Sequence, residues 1–140
     1  MRTPEEIQVL VNAALAGGSG EFRPRALLDT RLDCIRVITR DCSVMETRVN
    51  ELLTVLEANY PRGRKCVGFT IKGAEHLCHK YHLDTSAVKI TAVLDAVLEA
   101  CPGVVVEAFV DHVARPLIRD ANIEDIEQID ESRFPQPVHA

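Results

Sequence analysis

The segment from Glu75 to His82 holds a carboxylate, a thiol and three imidazoles. On a helix, at 100° per residue, Glu75, His79 and His82 fall on one stripe about 60° wide. Cys78 adjoins it, one turn before His82. Imidazole, carboxylate and thiolate together are the ligand set of zinc and similar borderline metals. Glu75, His79 and His82 are therefore the candidate metal ligands. The same helix carries Ala74, Leu77, Cys78 and Tyr81 as its apolar side, which sets His79 and His82 in water. A closed site takes ligands from more than one element, and His112 is an available second source. No cofactor is implied. The one Gly-rich stretch, at 17–20, comes after a helical pattern rather than a strand, so it is not a phosphate loop.

Cys42 is the candidate nucleophile. It stands between an expected strand and an expected helix in Arg40-Asp41-Cys42-Ser43. Helix N-terminal amides lower a thiol pKa, Arg40 adds to that effect and Asp41 opposes it. Cys42 and Arg48 are separated by five residues, a spacing that is similar to the loop of Cys-dependent phosphatases. In that loop the thiolate attacks phosphorus while amides and the Arg hold the oxygens. The loop content departs from it: Val44, Met45 and Glu46 are bulky or acidic where a phosphate cradle takes small residues.

A third group is basic. Arg62, Arg64, Lys65, Lys72 and Lys80 lie within 58–90, where six basic residues face two acidic ones. They are the candidate contacts for phosphate or an acidic partner. Residues 77–91 also resemble the helix-turn-helix of bacterial regulators. Cys78 takes the small position, Leu83 the hydrophobic one, Asp84 the cap and Ala87-Val88 the pair, while His82 replaces the turn Gly. The resemblance implies nucleic-acid binding. The stripe Thr91-Asp95-Glu99 on the second helix is acidic, the wrong sign for DNA. Tyr60 and Tyr81 are the only stacking residues near this region.

Periodicity supplies the elements that position these groups. Thr3-Pro4-Glu5-Glu6 opens a first helix that Gly17-Gly18 stops. Residues 19–31 read as a linker or edge segment. Residues 32–40 alternate as a strand. Ser43-Val44-Met45-Glu46 is a capping box opening a helix to Tyr60, with Met45, Val49, Leu52, Leu53 and Leu56 on one stripe. Residues 66–72 form a second strand, and Gly73 leads into a short helix ending near His82. Asp84-Thr85-Ser86 caps a longer helix to Cys101. Residues 104–111 form a third strand, and Asn122 with Asp125 caps a last short helix carrying Ile123, Ile126 and Ile129. The first strand–helix–strand unit is expected to be a right-handed parallel crossover.

This order predicts an α/β (α+β) two-layer sandwich, with a three- to four-stranded mixed sheet and helices mainly on one face. The expected parts are an N-terminal helical arm (1–20), one domain (21–131) and a flexible tail (132–140). The helix at 86–101 is apolar nearly all round, so it is either central to the core or part of a dimer interface. Composition agrees with a globular chain: 140 residues, 46% hydrophobic, net charge −5. No 18-residue apolar run or signal peptide occurs. Five cysteines without a C-x-x-C pair fit reduced thiols in a cytoplasmic protein. The leading functional expectation is a non-enzymatic interaction or regulatory module, partnering itself as a homodimer or another protein. A nucleic-acid or phosphate binder using 62–89 stands second. An enzyme using Cys42 or the His face stands third.

Overall fold

The computed structural model describes residues 3–5, 7, 22–60 and 63–128, with backbone alone at 59, 60, 63 and 64. The chain divides into Met1–Arg23 with Asp130–Ala140, and Pro24–Ile129. In the first unit residues 4, 5 and 7 are helical, and the Ile7 N–H donates to the Thr3 carbonyl at 3.0 Å. The rest of the expected arm 1–20, its Gly17-Gly18 stop and the tail 132–140 lie outside the described residues.

The second unit is a mixed α+β domain. Its six strands are β1 (Arg25–Asp29), β2 (Cys34–Ile38), β3 (Val44–Arg48), β4 (Leu53–Tyr60), β5 (Gly63–Lys72) and β6 (Ile126–Gln128). They form one sheet in the order β3-β4-β5-β2-β1-β6. Sequence periodicity predicts three or four strands, and six are present among the described residues. Every neighbouring pair is antiparallel except β1 with β6. The expected parallel crossover is replaced by hairpins, because the segment after β2 is not a helix.

Residues 44–60 form the β3–β4 hairpin instead. The Asn50 side chain explains the reversal: its Oδ1 accepts the N–H groups of Leu52 and Leu53, both at 2.8 Å. That Asx turn captures the backbone groups a helix would use. Residues 25–29 are an interior strand rather than a linker, with Ala26 and Leu28 buried. Residues 126–128 pair with β1 and are not helical.

This unit also contains three helices. Helix α1 spans Ala74–Lys80 and α2 spans Ile90–Ala100. Helix α3 is continuous from an α segment (Val104–Phe109) through a π segment (Val110–Ala114) to an α segment (Arg115–Asp120). Residues 104–111, expected as a strand, thus lie in α3. Its buried residues Val106, Val110, Ala114 and Ile118 recur every four positions. A 3.6-residue helix would rotate them off one line, and the wider π turn holds them on it. Pro116 places the π segment there: it lacks the N–H that would bond to the His112 carbonyl.

All three helices contribute to one core with the sheet. Ala26, Leu28, Ile35, Val37, Leu53, Phe69 and Ile71 line one sheet face by register, and Ala74, Leu77, Val93, Val97, Val110 and Ile118 pack in the same cluster. The Phe69 and Phe109 rings meet edge-on at 5.9 Å. Helix α2 buries Ile90, Val93, Leu94, Ala96 and Val97 here, which places it in the core.

Candidate functional site

Helix α1 is held at its start by a residue distant in sequence. The Asp33 carbonyl accepts from Gly73 at 2.9 Å and Ala74 at 3.3 Å, and its Oδ1 accepts the Glu75 N–H at 2.7 Å. This fixes a cleft of about 560 Å³ lined by Asp33, Glu75, His76, His79 and Asp84, among others. Of the expected metal ligands, Glu75 and His79 face this cleft. His82 does not line it, and Cys78 is buried. Two further side chains line it: Asp33, which no motif marks in the sequence, and Asp84, which the sequence marks only as a helix cap. Both are already engaged: Asp33 with α1, and Asp84 Oδ1 with the Ser86 N–H at 3.0 Å and the Ser86 hydroxyl at 2.7 Å. Those bonds hold the Asp84 carboxyl below the usual carboxylate range. Among the described residues no group of three His, Cys, Asp or Glu is placed to hold a metal ion.

The thiol site loses its positioning element. Cys42 is exposed in the β2–β3 connection, and the chain passes from it into β3, not into a helix N-terminus. The helix N-terminus expected after it is therefore absent, and the loop-and-helix resemblance to Cys-dependent phosphatases fails at the same point. Burial pushes the Cys34, Cys66 and Cys78 thiols up. These three are held as neutral, poorly nucleophilic groups.

The described members of the basic group, Lys65, Lys72 and Lys80, are spread apart. Lys65 and Lys72 are near opposite ends of β5, about 20 Å apart at the rise of a strand. Lys80 is at the end of α1, its ammonium 5.6 Å from the Tyr81 ring centre. Arg62 lies outside the described residues, as does the Arg64 side chain. The helix-turn-helix geometry is absent as well. Nine residues, 81–89, separate α1 from α2, and Asp84 caps a local turn rather than the helix. Helix α2 begins after Lys89, whose ammonium meets Asp125 at 3.0 Å and has its pKa raised by that bond. The exposed face of α2 holds Thr91, Asp95 and Glu99, which is the wrong sign for a recognition helix.

Among the described residues, the strongest unpartnered feature is the sheet edge. Strand β3 ends the sheet, and Met45, Glu46, Thr47 and Arg48 are all exposed. It pairs with β4 in continuous register, without a bulge, and contains no Pro or Lys. The Val49 N–H donates to the Leu53 carbonyl at 2.9 Å. In an antiparallel ladder inward and outward groups alternate, so residues 45, 47 and 49 bond to β4. The N–H and C=O groups of Val44, Glu46 and Arg48 point away from the sheet. Side chains at the edge are loosely held: Glu46 is 3.8 Å from Arg36, the Arg48 Nε donates to the Asn50 carbonyl at 3.2 Å, and the Thr47 hydroxyl donates to Glu57 at 3.1 Å. Helical spacing places Glu46 and Arg48 on a helix and so hides the edge. The signal for it is the alternation of Val44, Glu46 and Arg48 with Met45, Thr47 and Val49, ending at Asn50.

No protein-family model, no curated protein and no solved structure matches the chain. Among the described residues, no helix is long and apolar enough to cross a membrane.

Proposed function

We propose that the protein is a non-enzymatic interaction module that associates with a second copy of itself through strand β3. The observation that carries this reading is the open edge: a five-residue strand, exposed from Met45 to Arg48, whose backbone groups at 44, 46 and 48 have no partner among the described residues. Exposed edges template further strand pairing, and protein sheets normally blunt them with Pro, a bulge or charged side chains, Lys above all. Here Pro, Lys and a bulge are absent, and the two charged side chains, Glu46 and Arg48, are of opposite sign. Strand addition supplies affinity from main-chain hydrogen bonds and needs no pocket.

The test is native mass spectrometry and light scattering on the full chain across a concentration series. The wild type is expected to show a concentration-dependent dimer. Glu46→Pro removes an outward N–H and leaves the bonds to β4 intact. This variant is expected to keep its circular dichroism spectrum and to stay monomeric. A wild type that is monomeric throughout, or a Glu46→Pro dimer of unchanged affinity, would overturn the reading.

A further inference from the structure

We infer that two copies pair β3 antiparallel about a two-fold axis at Thr47, and that the order Glu46 then Arg48 is a self-recognition code. The inference rests on the reading of β3 as the interaction edge and adds its register and specificity. Among the described residues of this edge, outward groups sit at 44, 46 and 48, so a two-fold register must match even positions with even positions. Centring on Thr47 sets Glu46 opposite the partner's Arg48, and Arg48 opposite the partner's Glu46. Each of these is a hydrogen-bonded pair, giving four backbone bonds. Thr47 then faces the partner's Thr47 in the closer, non-hydrogen-bonded position, and threonines pair well there. Centring on Glu46 would add a third hydrogen-bonded pair but places the two Glu46 carboxylates directly opposite each other. Centring on Arg48 opposes the two guanidinium groups. Only the Thr47 register makes an identical copy the charge complement of this edge.

A charge-swap experiment on the full chain reads this directly. Glu46→Arg places Arg opposite the partner's Arg48, twice per dimer by symmetry. Arg48→Glu places Glu opposite Glu, also twice. Each single variant is expected to raise the dimer Kd about tenfold or more. An equimolar mixture of the two restores both opposite pairs, so a heterodimer forms with near wild-type affinity. The double variant E46R/R48E also dimerises as the wild type does. In a Cys42→Ser background, Thr47→Cys cross-links to itself on mild oxidation with oxidised glutathione, because non-hydrogen-bonded partners sit within disulfide reach.

Wild-type affinity in either single variant, a mixture that fails to form heterodimer, or no Thr47→Cys cross-link would overturn the register. If Glu46→Pro abolishes the dimer while Glu46→Arg leaves it intact, strand pairing stands and the Thr47 register falls. If the wild type is monomeric, both fall together.

Discussion

His82 carries a backbone conformation that most residues avoid. Helix α1 ends with the Leu83 N–H donating to the Cys78 carbonyl at 2.8 Å, and His82 between them has φ of 56°. This is the left-handed helix stop normally built on Gly. The helix-turn-helix spacing puts His82 in the place of a turn Gly, and the turn is real although it ends a different motif. A left-handed L-residue costs about 1–2 kcal/mol, and Gly returns part of that as unfolded-state entropy. His82→Gly is therefore expected to stabilise the protein by about 0.5–1 kcal/mol in urea unfolding. If the variant were less stable than the wild type, the imidazole would be making a contact worth more than the strain. That would return His82 to the set of functional side chains.

At the scale of elements, Gly68 is the tightest point in the sheet. A Cβ built there would lie 2.1 Å from the Val37 carbonyl oxygen, which is backbone and cannot turn aside. The chain is locally irregular as well: Leu56 pairs with Gly68 but Glu57 pairs with Cys66, so Val67 is an extra residue in β5. Gly68→Ala must push β2 and β5 apart at their centre. The expected cost is about 3 kcal/mol or more, enough to unfold a marginal domain at 37 °C. Thermal unfolding within about 2 °C of the wild type would show that the two strands can separate freely. These strands are legible in the sequence because Ile35 and Val37, and then Val67, Phe69 and Ile71, alternate cleanly. The β3–β4 hairpin is not. Met45, Val49, Leu52, Leu53 and Leu56 happen to satisfy helical spacing, and the deciding group is a single Asn50 carboxamide. The run Val104-Val105-Val106 misleads in the opposite direction. β-Branched residues favour strands in general, yet Val104 and Val105 are exposed on α3 and only Val106 is buried. Tertiary packing of every fourth residue of α3 outweighs that preference. The cleft beside α1 obeys the same logic: Glu75 and His79 share a helix face and can be placed together from spacing alone. Asp33 joins them from over forty positions away, through a hydrogen bond that no local pattern announces.

For the whole molecule, the charge of −5 sets the terms on which two copies meet. If β3 joins the sheets, their centres are six strand spacings apart, about 29 Å. Two bodies of this charge at that distance repel by about 1 kcal/mol in 10 mM salt, where the Debye length is about 30 Å. In 150 mM salt, with a Debye length of about 8 Å, that repulsion is nearly gone. The Glu46–Arg48 pairs act at contact range, so they are weakened less over the same interval. Dimerisation is therefore expected to tighten about fivefold between 10 and 150 mM NaCl. Above about 1 M the Debye length falls to about 3 Å and exposed ion pairs also lose strength, so affinity declines again. The sequence separates a mildly basic stretch at 58–90 from an acidic final third, a split that leaves polyanion binding as the second reading. Polyanion binding weakens steadily with salt from the lowest concentration upward. A dimer Kd measured by sedimentation equilibrium at 10, 150 and 1,000 mM NaCl checks the salt dependence expected of the dimer. A maximum in affinity at the middle value is expected. A monotonic loss from 10 mM would mean that the local ion pairs outweigh the field of the whole molecule at every ionic strength.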